Sequence, residues 1–154
     1  MELERDLAPR LGYLVHRQGA GEDDTLVDPR SPFRILVVED EPVIRELVRS
    51  MLDDGPVEVE TAGNGAEGLR RARESRFDLV LLDVVLPGMD GLTVCRMLKA
   101  DPQTSGVPLY MLTAKTRRSD LEAALAAGAN GYIHKPFRGS ELMELVERLR
   151  VGNG

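Results

Sequence analysis

Phe77-Asp78-Leu79-Val80-Leu81-Leu82-Asp83, running into Val84-Val85-Leu86-Pro87-Gly88-Met89-Asp90-Gly91, is the stretch whose reading decides the fold. Four consecutive apolar residues, Leu79 to Leu82, suit a strand buried on both faces, the condition of a parallel sheet covered by helices. The run stops on a carboxylate, and Pro87-Gly88 keeps the strand from continuing. Asp83 is therefore expected at the carboxyl end of a central strand, where open α/β sheets gather their ligand sites. An acid presented at that edge is a candidate nucleophile or metal ligand.

Working towards the N-terminus, Ile35-Leu36-Val37-Val38 is a second buried run, and it too ends in acids, Glu39-Asp40-Glu41. Pro42 suits the first turn of a helix, where its missing N–H costs nothing. Val43, Ile44, Leu47, Val48, Met51 and Leu52 then form an apolar stripe of helical period, stopped by Asp53-Asp54-Gly55-Pro56. Val57-Glu58-Val59-Glu60-Thr61 alternates with period two, as a half-covered edge strand should. Asn64 opens a second helix, with Ala66, Leu69 and Ala72 expected inward and Arg70, Arg71 and Arg73 outward.

Beyond Asp83, Asp90 can cap a third helix carrying Leu92, Cys95 and Leu98, which ends near Ala100-Asp101-Pro102. Val107 to Thr113 reads as a fourth strand, Arg118 to Ala127 as a fourth helix stopped by Gly128, and Asn130 to His134 as a short fifth strand. Ser140 to Arg150 closes the pattern as a helix with Leu142, Leu145, Val146 and Leu149 on one face. Five strands alternating with five helices imply a doubly wound, five-stranded parallel sheet with right-handed crossovers. Residues 1–32 differ: Pro9 and Gly12 interrupt a leucine spacing, and Gly19 to Pro32 has the composition of a linker. The expected organisation is a flexible N-terminal extension or linker (1–32), one domain (33–150) and a short C-terminal tail (151–154).

A chain of 154 residues with 42% hydrophobic and 30% charged residues has the make-up of one soluble globular domain. A net charge of −6 argues against a nucleic-acid footprint, and no apolar run is long enough to span a membrane. The start has no signal-peptide pattern, and the lone Cys95 excludes an internal disulfide, so a cytoplasmic protein is expected.

With strand order 2-1-3-4-5, the switch point falls between the first and third strands. Glu39, Asp40 and Asp83 then converge, and three carboxylates at close range repel by roughly a kcal/mol or more each. A cation relieves that, and an all-oxygen, partly hydrated site suits Mg²⁺. No glycine-rich phosphate fingerprint follows the first strand, so a bound nucleotide is disfavoured. Thr113 ends the fourth strand with a hydroxyl and Lys135 follows the fifth with a cation. A carboxylate, a Mg²⁺, a hydroxyl donor and a fixed ammonium together suit phosphoryl transfer. The Lys135-Pro136 bond sits where a cis peptide is commonly used to aim a side chain.

Glu39-Asp40, Asp83 with Leu86-Pro87-Gly88-Met89-Asp90-Gly91, Thr113-Ala114, and Tyr132 three residues before Lys135-Pro136-Phe137 together resemble a bacterial two-component response-regulator receiver domain. The resemblance covers about Phe33 to Arg150 and implies a flavodoxin-like fold. It implies that Asp83 accepts a phosphoryl group from the phosphohistidine of a sensor histidine kinase or phosphotransfer protein. It further implies that Asp40, Asp83 and the backbone carbonyl of Val85 bind Mg²⁺, with Glu39 acting through water. Lys135 would contact the phosphoryl oxygens. Thr113 and Tyr132 would form a switch pair, acting on the face of the fourth helix, fifth strand and fifth helix.

Transcription-factor members typically carry an acidic pair just before the tyrosine, which supports a salt-bridged dimer. Asn130-Gly131 stands there instead, so the resemblance is to the stand-alone, chemotaxis-like type: a monomer or weak dimer signalling to a downstream protein. Two other readings are a receiver-like scaffold that works unphosphorylated and a Mg²⁺-dependent aspartyl-phosphate phosphatase. Val85 stands where such phosphatases commonly place a second acid, which argues against turnover of outside substrates.

Overall fold

A computed structural model describes residues 31–152; the expectation of a flexible extension over residues 1–32 falls almost wholly outside that range. Five strands alternate with five helices: β1 (Phe33–Val38), α1 (Pro42–Leu52), β2 (Val57–Ala62), α2 (Gly65–Glu74), β3 (Leu79–Asp83), α3 (Gly91–Ala100), β4 (Leu109–Thr113), α4 (Arg118–Ala126), β5 (Gly131–His134) and α5 (Gly139–Gly152). The sheet is parallel throughout, in the order β2-β1-β3-β4-β5.

The apolar runs are continuous because each strand alternates between two buried cores. Leu36 and Val38 of β1 and Val80 and Leu82 of β3 face Leu69, Val94, Leu98 and Ala124 on α2, α3 and α4. Ile35, Val37, Leu79 and Leu81 face Val48 and Leu52 of α1 and Leu142, Leu145 and Val146 of α5. All five residues of β3 are buried, Asp83 included.

Several local expectations are corrected. In α2, Ala66 lies exposed, and Gly65, Gly68, Leu69 and Ala72 form the inner face. A Cβ on Gly68 would stand 2.8 Å from Val38, so the helix packs at a distance where only hydrogen fits. In α1, Val43 is 77% exposed and Leu47 41% exposed, because the helix turns only Val48 and Leu52 fully onto the sheet. Pro108 delays β4 to Leu109, and Val107 closes the preceding turn by donating its N–H to Thr104 O. The last helix runs to Gly152, so Val151 and Gly152 belong to α5 and not to a tail.

Candidate functional site

Parallel register assembles the site at the carboxyl edge of the sheet. Val38 pairs with Leu82, which sets Glu39 and Asp83 side by side on neighbouring strands. Thr113 pairs with His134, and the N–H of Lys135 donates to Thr113 O at 2.8 Å, so Lys135 follows directly. The Lys135-Pro136 bond is cis. Period two then sorts the side chains. Glu39, Asp83 and Lys135 continue the odd positions of their strands, on the α1/α5 face, while Thr113 continues the Leu109–Met111 row on the opposite face.

Lys135 is the centre of the cluster. Its ammonium donates to Glu39 Oε1 at 2.7 Å and to Asp83 Oδ2 at 3.2 Å. Glu39 is fully buried and Asp83 nearly so, at 6% exposure. The second oxygens are also held: Glu39 Oε2 accepts from the N–H of Glu41 at 3.2 Å, and Asp83 Oδ1 from that of Val85 at 3.0 Å. Burial pushes the Glu39 carboxyl up to about 7; the Lys135 hydrogen bond opposes this and the Asp83 charge assists it. Burial alone would pull the Lys135 ammonium down, but its contacts with Glu39 and Asp83 together raise it.

Asp40 differs from its neighbours. It is exposed, and no hydrogen bond or ion pair holds it among the described residues. One carboxylate oxygen each from Glu39, Asp40 and Asp83 lie within 4.8 Å of one another. An all-oxygen donor set with an unengaged carboxylate facing solvent fits a hard divalent cation, and one ammonium cannot neutralise three acids.

The remaining candidates sit around this cluster. Thr113 is buried, with its hydroxyl accepting from the Lys115 N–H at 2.8 Å. Tyr132 is 41% exposed, turned out beside β4. Val85 lies exposed just past Asp83.

Two groups that shape the site carry no charge pattern. Gly91, the first residue of α3, leaves its missing Cβ 2.1 Å from Asp83 O, so the helix approaches the acid's own backbone. Arg45 of α1 donates to Glu39 O at 2.7 Å. The sequence marks the glycine as the last residue of the Pro87–Gly91 turn, whereas nothing in the sequence pattern distinguishes the arginine from other polar residues of α1. Asn130-Gly131 is committed internally. Asn130 Oδ1 accepts from the Leu109 N–H at 2.8 Å and from Lys99 Nζ at 3.0 Å. A Cβ on Gly131 would stand 2.7 Å from the Tyr110 ring.

The model of the response regulator receiver domain matches residues 35–147. The DNA-binding response regulator MtrA of Mycolicibacterium smegmatis is 48% identical over 118 residues, which are 76% of this chain and 50% of that protein. The chain thus spans about half the length of the curated relatives it matches. Among solved structures, chemotaxis protein CheY4 of Vibrio cholerae aligns with a TM-score of 0.73 at 34% identity, covering 77% of this chain and 99% of that one. The receiver domain of a sensor histidine kinase from Pseudomonas aeruginosa, solved with magnesium coordinated in its active-site cleft, aligns at 0.72 and 34%, covering 78% and 98%.

Proposed function

Because the chain belongs to the response regulator receiver domain family, we propose that Asp83 is its phosphoacceptor, taking a phosphoryl group from a phosphohistidine of a sensor kinase or phosphotransfer protein. A carboxylate oxygen of Asp83 attacks phosphorus, the N–P bond breaks, and the imidazole departs with its electron pair, leaving an acyl phosphate. The observation that carries this reading is the Lys135 ammonium bridging Glu39 and Asp83, which leaves the Asp40 carboxylate unengaged.

Asp40, Asp83, the Val85 carbonyl and, through water, Glu39 would hold Mg²⁺. When bound, the ion neutralises charge on the transferring phosphoryl oxygens. Lys135 supplies the second cation and positions it before the reaction, so little reorganisation is needed. Its bond to Asp83 is the longer of its two, leaving it able to turn towards phosphoryl oxygens while Glu39 keeps hold of it.

The switch pair would act on the opposite face of the sheet. Turning the Thr113 hydroxyl towards the phosphoryl group gives up its bond to the Lys115 N–H and frees the β4–α4 loop. A hollow of about 60 Å³ beside Thr113, lined by Val84, Leu92, Lys115 and Leu121, gives that loop room to settle. Tyr132 would then turn inward and change the α4–β5–α5 face, where Leu125 and Met143 are also exposed.

That face is the proposed output surface, read by protein contact. The engagement of Asn130 and Gly131 supports a monomer or weak dimer over an acid-bridged one. MtrA is by name a DNA-binding regulator and about twice the matched length; in a protein of that kind the same face would regulate the attached domain. Among the described residues no helix is long and apolar enough to cross a membrane.

The test uses beryllofluoride with Mg²⁺, which mimics the aspartyl phosphate without a kinase, followed by amide NMR of the wild type and Asp83→Asn. Shifts spreading from Asp83 to Thr113 and Tyr132 in the wild type alone are expected. A silent wild type would overturn the phosphoacceptor reading and favour an unphosphorylated scaffold.

A further inference from the structure

Arg45 reaches the site through the backbone of Glu39. Its guanidinium leaves α1 and donates to the backbone carbonyl of Glu39 at 2.7 Å, at the point where β1 ends and the acidic loop begins. No carboxylate lies within ion-pair distance of it among the described residues. The same Nη1 lies 3.2 Å from where a Cβ of Gly63 would stand, so absence of a side chain beyond β2 leaves room for the guanidinium. Glu39 is therefore held from four directions. Its N–H donates to Ala62 O at 3.0 Å, its carbonyl accepts from Arg45, and its two carboxylate oxygens accept from Lys135 and from the Glu41 N–H.

The arrangement has a chemical consequence. A cation beside three carboxylates would ordinarily pair with one and compete with a metal for its oxygens. Donating to a carbonyl instead places the charge near the site while leaving the Asp40 oxygens unclaimed. The peptide that Arg45 fixes joins Glu39 to Asp40, so its orientation decides where the exposed Asp40 carboxylate projects. We propose that Arg45 is a positioning residue: by clamping the Glu39 carbonyl it preorganises Asp40 and Glu39 for the divalent cation. The inference rests on the metal-binding reading above.

The sign of the effect separates this role from simple electrostatics. Removing a positive charge near a dication's site should tighten metal binding by Coulomb's law. Losing a group that orients the ligands should weaken it, typically by about tenfold or more. Arg49 supplies the structural control. It lies on the same helix one turn on and donates to Val59 O at 3.0 Å and Thr61 Oγ1 at 3.3 Å, bracing the edge strand away from the acids.

The experiment is Mg²⁺ titration of wild type, Arg45→Ala, Arg45→Lys, Arg49→Ala and Asp40→Asn by calorimetry, with urea midpoints measured in EDTA alongside. The expected result is a Mg²⁺ affinity about tenfold lower in Arg45→Ala, partly recovered in Arg45→Lys, and at the wild-type level in Arg49→Ala despite its own loss of stability. Without metal, amide shifts of Asp40 and Glu41 should move in Arg45→Ala and stay in place in Arg49→Ala. Unchanged or tighter binding in Arg45→Ala, with binding abolished in Asp40→Asn, overturns the positioning role and leaves the metal site standing. An equal loss in Arg49→Ala overturns it too, by showing general loosening. A wild type that takes up no Mg²⁺ brings down the metal-binding reading and this role with it. Should Arg45→Ala fail to fold, Arg45→Lys decides by the same comparison.

Discussion

Raising the pH through neutrality should destabilise the metal-free protein, and substituting Glu39 by Gln should remove that dependence. The carboxyl of Glu39 has its pKa lifted from 4.5 to about 7, with burial the largest cause. Between those values the folded chain keeps a proton that the unfolded chain has released. The stability this contributes is complete below 4.5 and is lost as pH rises through about 7. Each pKa unit is worth about 1.4 kcal/mol, so the shift corresponds to roughly 3 kcal/mol, a sizeable share of a domain's stability.

Other shifted groups fall in other windows. Glu67 and Asp90 are held below the usual carboxylate range by backbone hydrogen bonds from Gly63 and Thr93, so their contributions are lost only as pH falls through that range. Lys135 is raised above 10.5, and its contribution is lost only on the far alkaline side. The assay is urea unfolding in EDTA between about pH 5 and pH 8. The wild-type midpoint should fall across that range and the Glu39→Gln midpoint should stay level. Saturating Mg²⁺ should flatten the wild-type profile, because metal binding favours the ionised ligand. Parallel profiles for the two proteins in EDTA would refute the reasoning, since Glu39 would then titrate alike folded and unfolded.

Gly91→Ala places a Cβ 2.1 Å from Asp83 O, a contact with backbone that cannot swing aside; a loss of about 3 kcal/mol or more is expected in urea unfolding, together with shifted amides at Asp83 and Val84. Lys99→Met leaves Ser105 O and Val107 O without their donor, and thermal or urea unfolding should register a loss of about 1–3 kcal/mol with beryllofluoride binding retained. The acyl phosphate should outlast that of the fastest family members, because neither Val85 nor Lys115 supplies an acid or amide to position water; a half-life of seconds at neutral pH, followed by loss of radiolabel, would contradict this.

The strand order and the gathering of polar residues at one edge of the sheet were legible because both arise from one feature, apolar runs that stop on polar residues. Val38 ends before Glu39, Leu82 before Asp83, and Leu112 before Thr113, so a parallel register lines up the polar ends without further instruction. The details that escaped depend on depth and distance, which periodicity does not encode. Helical spacing put Ala66 inward, but α2 packs so closely that Gly68 meets Val38 and Gly65 meets Met89 and Val94. The same spacing placed Val43 and Leu47 in a stripe wider than the sheet that α1 covers. The Lys135–Glu39 bond joins residues 96 positions apart, and the Arg45 clamp acts on a carbonyl, a group every residue possesses.

Strand parity separates the groups proposed to react from the pair proposed to report. Glu39, Asp83 and Lys135 sit on the row that faces α1 and α5, apart from the row that carries Thr113. Thr113 sits on the other row, and Tyr132 pairs with Met111 of that same row. Neither belongs to the Lys135 network, and among the described residues the Thr113 hydroxyl is tied only to the loop that leads into α4. In the proposed reading the reacting groups and the Thr113–Tyr132 pair lie on different rows of the sheet, which allows reaction and switching to be uncoupled. Thr113→Ala should leave Mg²⁺ binding and phosphorylation of Asp83 near wild-type levels while abolishing the beryllofluoride-induced shift at Tyr132. Loss of both functions together would show that the faces act as one unit and that strand parity does not separate them.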